Sequence, residues 1–185
     1  MDDHGTLTYR EAGATRDPAR LPPPGYRLLR TGTELGRGRA VFEAAGDALL
    51  GWGMHRAAGL GVAATAPRAA PGVRVTVTAG AGPLRLNAPC EVVWTVEEPD
   101  RRGFAYGTLP GHPVSGEEAF EVVRRPDGSV RLTVTAFSRG AAWYARAAGP
   151  LGRVAQRAAA RRYGRALRRL ASEAQAPDGK GGAGG

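Results

Sequence analysis

The chain has 185 residues, 42% of them apolar, enough for one domain with a real core. Its one cysteine, Cys90, excludes an internal disulfide, and no apolar run approaches the roughly 20 residues of a membrane span, so no transmembrane segment is expected. The net charge of +9 invites a nucleic-acid reading, but seven arginines between Arg153 and Arg169, with no acid among them, carry most of it.

The basicity is therefore one helix face, which argues against nucleic acid. Arg also far outnumbers Lys beside much Ala, Gly and Pro, the bias that GC-rich codons produce. The start, Met1-Asp2-Asp3-His4, lacks a basic and then apolar signal-peptide pattern, and a cytoplasmic location is expected.

In chain order, residues 1–5 are expected to be disordered. Residues 6–9 form a short strand and 11–25 a loop, because Pro22-Pro23-Pro24 blocks helix and central strand alike. Residues 26–31 read as a strand and 33–38 as a glycine-punctuated turn. The first helix spans 39–53, with Phe42, Ala45, Leu49 and Trp52 at helical spacing. Residues 54–71 have weak periodicity and read as irregular chain or a short helix.

From Val73 the period becomes two. Val73, Val75 and Val77 alternate with polar residues, as a half-buried strand requires. A short strand at 84–86 ends at Asn87-Ala88-Pro89. Val92, Trp94 and Val96 then share one face of the next strand, and Phe104, Tyr106 and Thr108 one face of the strand after. Residues 110–116 are a loop. Phe120 and Val122 open a hairpin through Pro126-Asp127-Gly128, where Pro fixes φ and Gly takes φ > 0. Ser138 is placed to cap a helix over 139–148. A long helix follows over 151–174, with Leu151, Val154, Ala155, Ala159, Tyr163, Ala166, Leu167 and Leu170 as its apolar stripe. The last residues, 176–185, are a disordered glycine-rich tail.

Successive hairpins with helices at each end indicate a single α+β domain over 6–175. A curved antiparallel sheet packed on a long C-terminal helix is the helix-grip layout, which often leaves a cavity between the two.

Several motifs stand out: Tyr9-Arg10-Glu11-Ala12-Gly13-Ala14-Thr15, Leu35-Gly36-Arg37-Gly38, Phe42, Trp52, and Ala88-Pro89-Cys90-Glu91-Val92-Val93. They extend through GFAYGTLPGHPVSGEEAF at 103–120, the most specific part, and then Ala136-Phe137-Ser138-Arg139, Gly149-Pro150, Gln156 and Arg162-Tyr163. On these motifs the chain resembles the uncharacterised bacterial and plant proteins of domain-of-unknown-function family nineteen-ninety. Gly140 departs from it, where the family pattern has proline. The resemblance implies no established activity; a helix-grip or START-like fold is inferred from the order of elements.

The stretch 103–120 holds the candidate chemistry. His112 precedes Pro113, which favours an extended backbone at the histidine. A turn through Val114, Ser115 and Gly116 can bring Glu117 or Glu118 to the imidazole, giving an oriented pair for general acid–base work. The competing reading is structural: His112 bonds a backbone carbonyl and one glutamate ties down loop N–H groups. Trp94, Phe104, Tyr106, Thr108 and His112 are the expected lining of a cavity, with Trp143 a further aromatic candidate; aromatics at alternating strand positions are also ordinary core.

Gly107 and Ala105 leave room on one sheet face, for a ligand or for the C-terminal helix. His112, Glu117, Glu118, Cys90 and His55 lack metal-ligand spacing, so no metal is expected, and nothing points to a cofactor. Gly59-Leu60-Gly61-Val62-Ala63-Ala64 matches G-x-G-x-x-A but lacks a preceding strand, so it reads as loop. Arg153, Arg157, Arg161 and Arg165, four residues apart, form a ridge that is either a solvated face or a contact for an anionic surface. The expected partner is a small, partly apolar ligand; the sequence leaves open whether there is a reaction, and the oligomeric state.

Overall fold

The computed structural model describes residues 7–80, 82, 85–140 and 149–174. The ends expected to be disordered, at 1–5 and 176–185, lie outside the described residues, as does Trp143.

Seven strands form one antiparallel sheet in the order β1-β7-β6-β5-β4-β3-β2. They are β1 (Arg27–Arg37), β2 (Gly61–Ala64), β3 (Arg74–Ala79), β4 (Leu86–Glu98), β5 (Arg101–Thr108), β6 (Val114–Arg124) and β7 (Ser129–Gly140). Helices α1 (Arg39–Leu50) and α2 (Gly53–Ala57) lie between β1 and β2, and α3 (Gly149–Glu173) follows the sheet. Phe42 and Leu49 of α1, Trp52 of the turn after it and Met54 of α2 meet Val75, Val92, Phe104, Phe120 and Leu132 of the sheet and Tyr163 and Leu167 of α3. The curved sheet thus closes around the helices, and the core lies on its inner face.

The outer face is covered differently. Tyr9 and Tyr26 pack edge-on against Phe137 at ring distances of 5.5 and 5.2 Å. The segment before β1 therefore lies across the back of the sheet, with short 3-10 turns at Ala14–Arg16 and Pro18–Arg20.

Several boundaries differ from the expectation, each for a local reason. Residues 6–9 form no strand within the described part; instead Thr8 N–H donates to the Thr108 carbonyl at 3.0 Å. β1 runs through 33–37, because a register shift between Glu34 and Gly36 absorbs the glycines as a bulge. The helix expected over 39–53 ends at Leu50, and the stretch 53–71 contains both α2 and the edge strand β2. Pro89 does not end a strand: it pairs with Thr76 of β3, while β5 joins β4 only from Cys90 onward, so its missing N–H costs no ladder bond on the β5 side. Ser138, Arg139 and Gly140 belong to β7 and not to a helix, since each pairs with β6; the remainder of that expected helix, 141–148, lies outside the described residues.

The inner stripe of α3 is also shifted. Ala160, Tyr163, Ala166, Leu167 and Ala171 are buried, whereas Val154 and Ala159 are exposed. The later turns of α3 pack on β1, α1 and α2, so closely that a Cβ at Gly164 would collide with the Thr33 side chain.

Candidate functional site

The stretch 103–120 forms β5, a short loop, and the first half of β6. Side chains alternate along paired strands, so neighbouring glutamates 117 and 118 face opposite sides of the sheet. Register decides which is which. Glu118 lies opposite Tyr106 on the inner face, and Glu117 opposite Gly107 on the outer face.

Glu117 is buried and fully engaged. Its Oε2 accepts from the Tyr9 hydroxyl and the Gly13 N–H, each at 2.7 Å. Its Oε1 accepts from the Thr15 N–H at 3.0 Å and from the Thr15 hydroxyl. The Trp94 indole N–H donates to the same Thr15 hydroxyl oxygen at 3.0 Å. Gly107 makes this possible, because a Cβ there would collide with the Tyr9 ring and hydroxyl. The room left by Gly107 is therefore taken by the N-terminal segment, not by a ligand or by α3. Glu91, also buried and opposite Gly107 on the other flank, pairs with Arg74 at 3.2 Å. This carboxylate was not singled out in the sequence; it sits where alternation alone predicts a polar residue.

Trp94 reaches the outer face through a bulge. Val92 pairs with Tyr106 and Trp94 with Ala105, so Val93 is an extra residue that reverses the alternation. Trp94 consequently packs with Ala105 and Ala119, away from Val92.

Between the inner face and α3 lies a partly open cavity of about 760 Å³. Leu29, Leu60, Val77, Ala88, Cys90 and Ala136 supply much of its apolar wall, and Ala158 and Ala159 of α3 close it. Both alanines are exposed. Of the expected lining, Tyr106, Thr108 and His112 reach the cavity; Trp94 and Phe104 are not in its wall. Phe104 is wholly buried beside Trp52, His55, Tyr106 and Phe120.

The polar groups of the cavity differ in how much of their bonding capacity is spent. Thr108 Oγ1 accepts from the Gly116 N–H at 3.0 Å and meets the Thr8 hydroxyl at 2.5 Å, so it serves the clasp of the N-terminal segment. His112 Nδ1 lies 2.9 Å from the Val114 carbonyl oxygen and 3.1 Å from the Val114 N–H, and the tautomer decides which of the two it uses. Burial pulls the His112 imidazole down to about 4, which keeps it neutral at ordinary pH. Among the described residues, no hydrogen bond joins His112 to Glu117 or Glu118.

Glu118 is the exception. One carboxyl oxygen accepts from the Tyr106 hydroxyl at 3.0 Å, and the side chain lines the cavity. Burial without a cationic partner pushes its carboxyl up to about 7, although the Tyr106 bond acts in the opposite direction. Tyr163, brought in by α3, stands beside Tyr106 and feels the Glu118 charge. Tyr163 lay within the expected helix stripe, but only the docking of α3 identifies it as a member of this cluster. Farther along the wall, the Gln156 amide donates to the Ser138 hydroxyl oxygen at 3.0 Å.

His55 lies behind the cluster, fully buried, with neither ring nitrogen hydrogen-bonded. Burial drives its pKa down to about 3, so it behaves as an apolar ring among aromatics. Cys90 is likewise buried, with its thiol pushed well above the usual range. Among the described residues, no three His, Cys, Asp or Glu side chains gather as metal ligands. Gly59 and Gly61 lead into an edge strand and not a helix, which leaves no dinucleotide geometry.

A curved sheet gripping a long C-terminal helix around a cavity is the helix-grip fold. The chain belongs to the family described as domain of unknown function DUF1990, whose model matches residues 8–166. Over 80 residues it is 52% identical to a UPF0548 protein from Deinococcus radiodurans; the match covers 43% of this chain but only 40% of that relative. Among solved structures, it superposes on hypothetical protein jhp0584 from Helicobacter pylori with a TM-score of 0.59 at 11% identity, covering 92% of this chain and 99% of that one.

Norcoclaurine synthase from Thalictrum flavum, solved with dopamine and hydroxybenzaldehyde, gives 0.55 at 12% identity, over 80% and 87% of the two chains. A ginseng major latex-like protein from Panax ginseng gives 0.53 at 15%, over 78% and 96%. At such identities the likeness is one of fold.

Proposed function

We propose that this domain binds a small, partly apolar molecule in the cavity between the sheet and α3. The observation that carries the reading is a cavity of about 760 Å³ with a mostly apolar wall and few polar groups, among them Glu118 and Tyr106. Sites of this size and lining are typical of small-molecule pockets. The loop at 109–113 contributes His112 and Pro113 to the wall, as a cavity mouth requires. Among the described residues, no helix is long and apolar enough to cross a membrane.

The test is titration with the neutral fluorescent dye N-phenyl-1-naphthylamine, together with native mass spectrometry of freshly purified protein. Saturable dye binding that Ala158→Trp abolishes, with the fold intact by circular dichroism, is the expected result. A protein that binds no dye and carries no small molecule would remove the idea.

A second reading, acid–base catalysis in the same cavity, is favoured by Glu118. A carboxyl that titrates near 7 can both give and take a proton at working pH, and Tyr106 and Tyr163 flank it. His112 would then act as a neutral hydrogen-bonding group near the mouth instead of as a carboxylate-paired base. The Tyr106 hydroxyl stabilises the carboxylate, so Tyr106→Phe should move the Glu118 titration above about 7 by carbon-detected NMR. A titration near the ordinary carboxylate range in the native protein would end this reading.

A further inference from the structure

Two arginines of α3, Arg162 and Arg165, line the cavity and are exposed. The ion pairs of the described residues engage Arg37, Arg39, Arg68, Arg74, Arg101, Arg102, Arg124 and Arg169 and leave these two out. Arg162 has a seat of its own. Its guanidinium lies over Gly59, where any Cβ would collide with it. That glycine, at φ 76°, sits in the turn between α2 and β2, just before Leu60 of the cavity wall.

At the inner end the charge balance is opposite. Among the described residues Glu118 has no cationic partner; Tyr106 bonds it, Tyr163 feels its charge, and the neutral His55 ring packs behind both tyrosines. A charged head would therefore be repelled or stripped of water at the inner end and met by two unpaired guanidiniums at the rim. Arg is the side chain best suited to a planar oxyacid. Resting on the ligand-binding reading above, we propose that the cavity takes an apolar molecule with an anionic oxyacid head, held head-outward by Arg162 and Arg165 with its apolar body directed toward Tyr106 and Tyr163.

The test compares displacement of N-phenyl-1-naphthylamine by dodecanoate, dodecyl phosphate and dodecanol at low salt and about pH 8, in the native protein and in Arg162→Gln/Arg165→Gln. Dodecanol is the more apolar competitor, so any preference for the acids measures a charge contact. Dodecanoate or dodecyl phosphate should displace the dye at concentrations about tenfold lower than dodecanol, equivalent to about 1.4 kcal/mol. The double variant should lose that preference, read as the ratio of acid to dodecanol displacement, while the dye still binds saturably, which reports an intact cavity. The relative strength of the two acids identifies a carboxylate or a phosphate head.

Equal displacement by dodecanol and the acids, or a preference that survives in the double variant, overturns the head-outward anion but leaves apolar binding standing. Failure of the dye to bind, together with no small molecule carried in native mass spectrometry, removes the ligand-binding reading and this inference with it.

Discussion

At the scale of single residues, two adjacent glutamates have opposite duties, and each duty has a measurable signature. Glu117 accepts four hydrogen bonds from Tyr9, Gly13 and Thr15, and Gln in its place would turn an amide donor toward donors. Glu117→Gln should cost about 2–4 kcal/mol in urea unfolding, since charged hydrogen bonds lost in a buried site leave their partners unsatisfied. Tyr9→Phe, which removes one donor outside the cavity wall, should cost about 1 kcal/mol and leave dye affinity unchanged.

Glu118 carries the opposite sign. Its folded pKa lies near 7, above the unfolded value of 4.5, so the native state holds a proton that the unfolded chain has released between those limits. The stability this group contributes is full below about 4.5 and is lost as the pH rises through about 7. His55 and His112, with folded values near 3 and 4, act the other way: their contribution is present above about 6.5 and lost as the pH falls. The Glu118 part must therefore be read as a difference. The melting temperature of the native protein minus that of Glu118→Gln should fall steadily from about pH 4.5 to pH 7, and a flat difference would contradict a shifted Glu118.

At the scale of elements, the strands were legible because a half-buried antiparallel strand alternates, and the valines of 73–77 and the 120–136 hairpin alternate cleanly. Alternation also requires that Glu117 and Glu118 face opposite ways. It does not say which one faces in, because that depends on which side the helices cover. Trp94 shows the same limit more sharply: one bulged residue, Val93, reverses the face of everything after it and leaves no local signal. Pro89 and the glycines of 32–38 look like breakers, and are tolerated only because of pairing partners far along the chain.

The cavity wall is completed by α3, whose later turns pack tightly while Ala158 and Ala159 are exposed on the cavity side. Gly164 is the tight point. Alanine there should gain about 1 kcal/mol of helix propensity, yet the collision with Thr33 should reverse the sign, giving a net loss of about 1–3 kcal/mol. Thr33→Ala should recover part of that loss in denaturant unfolding. A net gain from Gly164→Ala alone would show that α3 and β1 are not in close contact.

At the scale of the whole molecule, the net charge of +9 is unevenly spread. Several arginines outside α3 are paired: Arg39 with Glu43, Arg68 with Glu97, Arg101 with Glu121, Arg102 with Asp47 and Arg124 with Asp100. On α3, Arg157, Arg161 and Arg165 are exposed along one ridge with no ion pair among the described residues, while Arg168 donates to the Glu34 carbonyl; Arg153 continues the four-residue spacing in sequence. The molecule is thus a nearly neutral sheet with one basic flank, beside the cavity rim. Such a flank should hold the protein on heparin at low salt by screened charge alone, and release it as the Debye length shrinks to about 8 Å near physiological ionic strength.

Arg157→Glu/Arg161→Glu should elute at clearly lower salt than the native protein. Arg10→Glu/Arg20→Glu has the same change in net charge at two exposed sites of the N-terminal segment and should elute later than the α3 variant. Equal shifts for the two variants would mean that net charge alone is sensed, and the ridge would have no standing as a surface of its own. Retention that persists at high salt would demand contacts beyond charge, and would move the ridge from a solvated face to a specific anionic-surface site.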